Sequence, residues 1–409
     1  MDRTISRRVV KLRCARELVL GSLPDVQTET AGIINCLGRV LAEDVRPMSE
    51  MPPEDTSTAD GYAAVASDTK GADSRRPVSL SVLSSHSRRT KLQKGTLVRV
   101  RAGDPLPHGA DSVISTSLTY RPEGGPQVLV MGEVAQWENV QRAGSVLSAG
   151  ETAVGAGTVI GPAEMGLIAS LGMPGVAVSR RPRVAVVTTG AGIVDVVEQC
   201  NPGEARNSVR YSLVGMLLET GCDLGRLIHT TEGRIGIEKA LAGCLECDAV
   251  VVALGASDSH DHAVAALETA GETKFDRVQM EPGAATAFAV IGGRPVFVIG
   301  ADTAVEGFEA IVRPALLAML GSSELYRPTV TAALGATLKP SPDCCHYIRA
   351  VTTCRGGTYA ALPLLRNSCN ARQWALANSL ILISEGVEMA KRGEPVEVAL
   401  LSANAPSSP

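Results

Sequence analysis

The chain of 409 residues has no charge-free apolar run of about 18 residues, so no transmembrane helix is expected. Met1 to Leu20 carries charges throughout and has no apolar centre. A secretory signal is therefore not expected, and the cytoplasm is the expected compartment. Neither charge sign is in excess: 39 Lys and Arg stand against 43 Asp and Glu, for a net charge of −4. Binding a phosphate backbone needs a basic face, so no nucleic-acid partner is expected. Arg7–Arg8 and Arg88–Arg89–Lys91 read as solvated faces. Ten cysteines are too sparse for a disulfide framework and read as free thiols in a reducing compartment. No internal repeat is visible. What is present is 45% hydrophobic residues at low net charge, which excludes disorder for most of the chain. At about 100–200 residues per domain the length allows roughly two to four domains.

Four textures follow one another along the chain. Residues 7–22 predict an amphipathic helix, with Val10, Cys14 and Leu18 on one stripe and Arg13 and Arg16 opposite. Residues 46–142 hold short β-like runs (78–83, 96–102) between Gly and Pro turns, so a β-rich insert is expected. Pro162 and Gly172 bracket a helix over 162–172. Residues 182–325 alternate strand and helix: strands at 183–190, 247–256, 276–280 and 295–299, and helices at 208–220, 232–246, 261–270 and 304–320. This rhythm predicts a three-layer arrangement, a sheet with helices on both faces. Residues 326–409 return to short strands. The expected fold is multi-domain α/β plus β. The expected domains are a discontinuous linker (27–45 and 143–178), a β insert (46–142), an α/β domain (7–26 and 179–325) and a C-terminal β domain (326–409).

Three local patterns could carry chemistry. Asp258–Ser259–His260–Asp261–His262 offers carboxylate and imidazole for Zn²⁺ or Mn²⁺, but Asp258 and Ser259 also suit helix caps, and the cap reading is preferred. Cys244 and Cys247 form a lone C-x-x-C between a helix and a strand and read as buried apolar cysteines. Thr188–Thr189–Gly190–Ala191–Gly192 after a strand invites an anion-loop reading, but it lacks both G-x-G-x-x-G and a Walker lysine.

Longer motifs are more specific. MPPEDTSTADGYAA (51–64), RAGDPLPHGADSVI (101–114), ENVQRAG (138–144) and the stretch 156–190 resemble, in order, signature segments of the MoeA family. That family is the molybdopterin molybdenumtransferases, and it shares its architecture with the gephyrin E domain. The resemblance covers essentially the whole chain. It implies an elongated four-domain subunit and a homodimer, with each active site between the α/β domain of one subunit and the β-rich domains of the other. It also implies insertion of molybdate into adenylated molybdopterin with release of AMP, using Mg²⁺. Carried onto this chain, it points to Asp60 and Asp111 as catalytic, with Asp60 also a metal ligand. It points to Ser57, Arg210, Ser257, Gly283 and Ser368 as cofactor-binding.

The residues themselves leave further readings open. Asp60 could instead fix the turn before Gly61–Tyr62, Asp111 could bond nearby backbone, and Arg210 could be a surface ion pair.

This sequence also departs from the family pattern. Ala102 stands for a threonine, Ser145–Val146 and Ala191–Gly192 for acid pairs, and Leu254 for a glycine. Glu281 and Ala284 stand for lysines, and His262 for an acid. Reversing a charge matters in an anion site: two unit charges about 4 Å apart interact by about 4 kcal/mol at an effective dielectric near 20. The alternative function is therefore a catalytically degenerate paralog, a dimeric scaffold or cofactor carrier that pairs with itself or with a MoeA-type protein.

Overall fold

A computed structural model describes residues 8–83, 91–122, 125–255, 259–364 and 371–401. Among these no helix is long and apolar enough to cross a membrane.

At the centre lies a six-stranded sheet in the order Asp223–Thr230, Arg183–Thr189, Ala249–Leu254, Arg294–Gly300, Ala287–Ile291, Glu272–Phe275. The first four strands are parallel, and Ala287–Ile291 runs antiparallel to both its neighbours. Side chains alternate across a strand, and the runs AVVVAL and VAVV are apolar at every position, so both faces must be covered. Val184, Val186, Val251 and Phe297 pack with Leu213, Leu217, Phe308 and Leu316 on one face. Ala185, Val187, Val250 and Val298 pack with Ile237, Leu241, Val264 and Leu267 on the other. Helices Ser208–Thr220 and Ala304–Met319 thus lie opposite Gly233–Gly243 and His260–Ala270. Asn207 starts the first of these by accepting from the Arg210 N–H, and Gly221, at φ +95°, ends it. The cysteines of the C-x-x-C sit in the second core, where burial pushes the Cys244 thiol up to about 11.

Three expectations need correction. Residues 7–22 are not one helix: Val9–Lys11 is a strand parallel to Arg277–Glu281, and the helix is Leu12–Leu20. Strand pairing sets its phase, so Leu12, Ala15 and Val19 are buried, while Leu18 is exposed. The 276–280 strand is Arg277–Glu281 and leaves the α/β sheet for the C-terminal one. Helix 304–320 is interrupted by a π-helical stretch, Phe308–Val312, ahead of Pro314. Proline lacks an N–H and crowds the carbonyl four residues back, and the wider turn accommodates it.

The remaining units are β-rich. A six-stranded sheet within 61–130 surrounds Leu97, Ile114, Val128 and Val130. Thr28–Gly32 pairs antiparallel with Gly175–Ser179 over a core of Leu41, Val154, Ile160 and Ile168. In the C-terminal part, Cys345–Arg355, Thr358–Pro363, Thr329–Leu334, Pro395–Leu400 and Ser379–Ile383 each pair with the next, and the last pairs back to the first. The result is a closed five-stranded barrel, with Arg277–Glu281 joined parallel to Cys345–Arg355 at its side.

Candidate functional site

From strand Arg183–Thr189 the chain moves through one helix to Asp223–Thr230 on one side. It then crosses the opposite face to Ala249–Leu254 on the other. In open α/β sheets ligands bind outside the carboxyl ends of strands at such a reversal. Here that crevice is bordered by Thr189–Gly192 and by Leu254–Gly255. The Gly255 N–H donates to the Thr189 carbonyl at 3.1 Å. A Cβ on Gly255 would stand 2.4 Å from that oxygen, so only glycine lets the two loops meet.

A polar network lines the strand ends. The Asn207 amide donates to Thr188 Oγ1 at 2.8 Å, and Thr188 Oγ1 lies 3.1 Å from His229 Nδ1. Among the described residues, His229 Nε2 and Arg210 Nε are buried without a hydrogen-bond partner. Arg210 bonds Asp195 through Nη1, and Tyr211 donates its hydroxyl to the same carboxylate at 2.8 Å. Those bonds, Tyr211 first, hold Asp195 below the usual carboxylate range. Arg210 thus makes an ion pair while its Nε remains available.

The Pro282–Gly283 turn follows strand Arg277–Glu281. Gly283 sits at φ +114°, and its carbonyl accepts from the buried Thr286 hydroxyl at 2.7 Å. Beyond strand Arg294–Gly300, Asp302 offers its carbonyl to Arg349 Nη2 at 2.9 Å. Arg349, on a barrel strand, also donates to Glu306 at 2.7 and 3.3 Å and lies 3.5 Å from the Trp374 ring centre. Burial raises the Glu306 pKa, and Arg349 opposes that shift. Sequence reading missed Arg349 and His229. The only signal for Arg349 was a lone cation in the alternating apolar run YIRAV.

Ser57, Asp60 and Asp111 lie in the insert, and their hydrogen bonds stay there. Ser57 donates to the Ala59 carbonyl at 2.6 Å, Asp60 Oδ1 accepts from the Ala102 N–H at 2.9 Å, and Asp111 Oδ1 accepts from the Ala66 N–H at 2.7 Å. Asp60 therefore ties two loops together rather than folding back on its own turn, and it stays exposed. None of these bonds reaches Arg210 or Gly283. Ser257 and Ser368 lie outside the described residues.

The 258–262 segment gathers no metal-binding group among its described residues. His260 Nε2 is 2.6 Å from the Asp276 carbonyl, and Asp261 and His262 are exposed. Ser259 holds the N-cap position without a side-chain bond, and Asp258 lies outside the described residues. Burial, and then the Arg277 charge, lower the His260 pKa against the opposing pull of its bond to Asp276 and of the Asp276 and Asp261 carboxylates. A histidine with a lowered folded-state pKa favours the fold when neutral. That contribution is lost as pH falls from the free value of about 6.5 through the lower folded-state value. The expected outcome is that urea midpoints measured across that range fall more for the parent protein than for His260→Gln.

Mg²⁺ takes oxygen ligands and commonly keeps one or two carboxylates plus substrate phosphate. Each of Asp60 and Asp111 gives one carboxylate oxygen to a backbone N–H, and Asp60, the more exposed of the two, fits that role better. The triad of possible ligands found among the described residues, Glu281, Cys344 and His346, includes sulfur and nitrogen and does not suit Mg²⁺.

The family model of the MoeA N-terminal region (domains I and II) matches residues 10–172, and that of the MoeA C-terminal region (domain IV) matches residues 331–401. Molybdopterin molybdenumtransferase 1 of Mycobacterium tuberculosis is 29% identical over 409 residues, spanning 90% of this chain and 94% of that protein. Molybdopterin molybdenumtransferase of Staphylococcus epidermidis is 25% identical over 412 residues, spanning 97% of each. The crystal structure of a molybdopterin biosynthesis MoeA protein from Pyrococcus horikoshii superposes with a TM-score of 0.85 at 27% identity, covering 97% of this chain and 100% of that one. A second from that organism, at 22% identity and TM-score 0.79, shares the fold.

Proposed function

Because the chain belongs to the MoeA family, we propose that it acts in molybdenum cofactor biosynthesis, inserting molybdate into the dithiolene of adenylated molybdopterin with release of AMP. The observation that carries this reading is the span of the resemblance. Relatives named as transferases align with nine-tenths or more of the chain, and the strand order that makes a crevice at the sheet reversal is present. The full-length match favours transfer over a scaffold that has lost its site.

The crevice suits an anionic ester. The first turn of helix Ser208–Thr220 offers backbone N–H groups, and Gly190, Gly192 and Gly255 themselves carry no side chain to keep a ligand away. Arg210 would place its guanidinium beside the phosphates. Gly283 would let the Pro282 turn approach closely, and Ser57, Ser257 and Ser368 would contribute hydroxyl donors. Asp60 and Asp111 would face the reacting group. Asp60, together with substrate phosphate, would hold Mg²⁺, whose charge would offset that of the leaving AMP. Because Ser57, Asp60 and Asp111 bond only within the insert, a second subunit of a homodimer would bring them to the crevice. The protein would work in the cytoplasm.

The test is direct. Purified protein is loaded with adenylated molybdopterin, molybdate and Mg²⁺ are added, and AMP is followed by chromatography. AMP release that depends on molybdate is expected. Pterin binding without release would replace transfer by a carrier role, and no pterin binding would overturn the reading altogether.

A further inference from the structure

One cluster lies outside everything assigned above. Strand Arg277–Glu281 pairs parallel with Cys345–Arg355 in a register that sets Met280 beside Cys345 and Glu281 beside His346. Cys344 sits in the bend that leads into the strand, two residues before His346. A carboxylate, a thiol and an imidazole thereby converge, with one donor atom of each within 4.8 Å of the others. We propose that Glu281, Cys344 and His346 form a binding site for a borderline-soft divalent ion, Zn²⁺ foremost, with a fourth position open to water.

The chemistry of the donors argues for that class of ion. Sulfur and imidazole select against Mg²⁺ and Ca²⁺, and a mixed S, N, O set with three protein ligands is an open tetrahedral zinc arrangement. The spacing agrees. Bonds of about 2.0–2.3 Å place tetrahedral ligands about 3.3–3.8 Å apart. His346 Nδ1 lies 3.9 Å from Glu281 Oε2, too far for a hydrogen bond and close to that edge length. Cys344 Sγ lies 3.6 Å from the other ring nitrogen, Nε2, so with the ion on Nδ1 the thiol would turn about its Cα–Cβ bond to complete the set.

The imidazole is also oriented from behind. Nε2 is 2.9 Å from the Ser341 carbonyl, and donating to it leaves Nδ1 as the lone-pair nitrogen turned toward Glu281. A backbone carbonyl on the far nitrogen is the usual outer support of a metal-bound histidine. His346 is buried and belongs to a barrel strand, so the ligand is held by rigid structure.

The site opens next to the Pro282–Gly283 turn. A bound ion would place positive charge where Glu281 alone places negative.

The experiment is Co²⁺ titration of the metal-free full-length protein, followed by Zn²⁺ competition. Its readout is binding, so the result stands apart from any transferase activity. One equivalent of Co²⁺ should give a thiolate-to-cobalt charge-transfer band that Zn²⁺ abolishes and excess Mg²⁺ does not. Cys344→Ser should remove the band, and Glu281→Gln should keep the band while weakening Zn²⁺ binding by at least about 10-fold. Cys345→Ser should leave both unchanged. Absence of the band in the parent protein, its persistence in Cys344→Ser, or its loss only in Cys345→Ser would overturn the assignment.

Discussion

Replacing Glu306 by alanine is expected to destabilise the protein by about 3–5 kcal/mol, the range for removing one partner of a buried ion pair. Glu306 is 1% exposed and Arg349 is 8% exposed. The carboxylate receives both Nε and Nη2 of the arginine, and the guanidinium is capped by the Trp374 ring. Alanine would leave a cation that cannot lose its proton inside a core between two units of the chain. Burial pushes the Glu306 pKa up while Arg349 pulls it down. Desolvation of two buried charges offsets their attraction, so such a pair is a poor source of net stability. A double variant, Glu306→Leu with Arg349→Met, should recover most of the loss, because apolar replacement of both partners is often neutral or better. Urea unfolding of the two single variants and the double variant measures the coupling. If Glu306→Ala moved the midpoint no more than an exposed substitution does, the pair would not be fully desolvated. The pair also fixes the Asp302 carbonyl beyond the Arg294–Gly300 strand, so the single variant should loosen that crevice loop as well.

What could be read in the sequence follows from the range of each interaction. AVVVAL and VAVV announce central parallel strands because burial on both faces requires apolar residues at every position. The helix after Asn207 was visible because cap, apolar spacing and Gly221 are all local. Val9–Lys11 misled because its helical spacing was real, yet its partner, Arg277–Glu281, lies far along the chain and captures it as a strand. The same blindness hid the site. Glu281 could be seen as a lost cation, but its neighbour His346 depends on a two-residue parallel pairing that periodicity does not encode. Asp60 and Asp111 were legible through their motif. That their carboxylates secure Ala102 and Ala66 was not, since those contacts join loops distant in sequence.

Mixing two inactive variants should restore activity if the insert of one subunit completes the crevice of the other. Asp60→Ala alone and Arg210→Met alone should each lower molybdate-dependent AMP release by about 100-fold or more, as for loss of one charged group from a preorganised site. Arg210→Met leaves Asp195 its bond from Tyr211, so the strap beside the crevice keeps a partner. In a C₂ dimer each crevice would combine Arg210 of one subunit with Asp60 of its mate. Equal mixing with free exchange makes about half the dimers mixed. In each of these one crevice has both groups and the other has neither, so activity should return to about one quarter of the parent level. If both groups served one crevice within a single chain, every subunit in the mixture would carry a defect and the mixture would stay as inactive as its components. The hydrogen bonding favours recovery. Ser57, Asp60 and Asp111 are each tied only to their own unit, and within one chain none of their bonds leads toward the helix that carries Arg210.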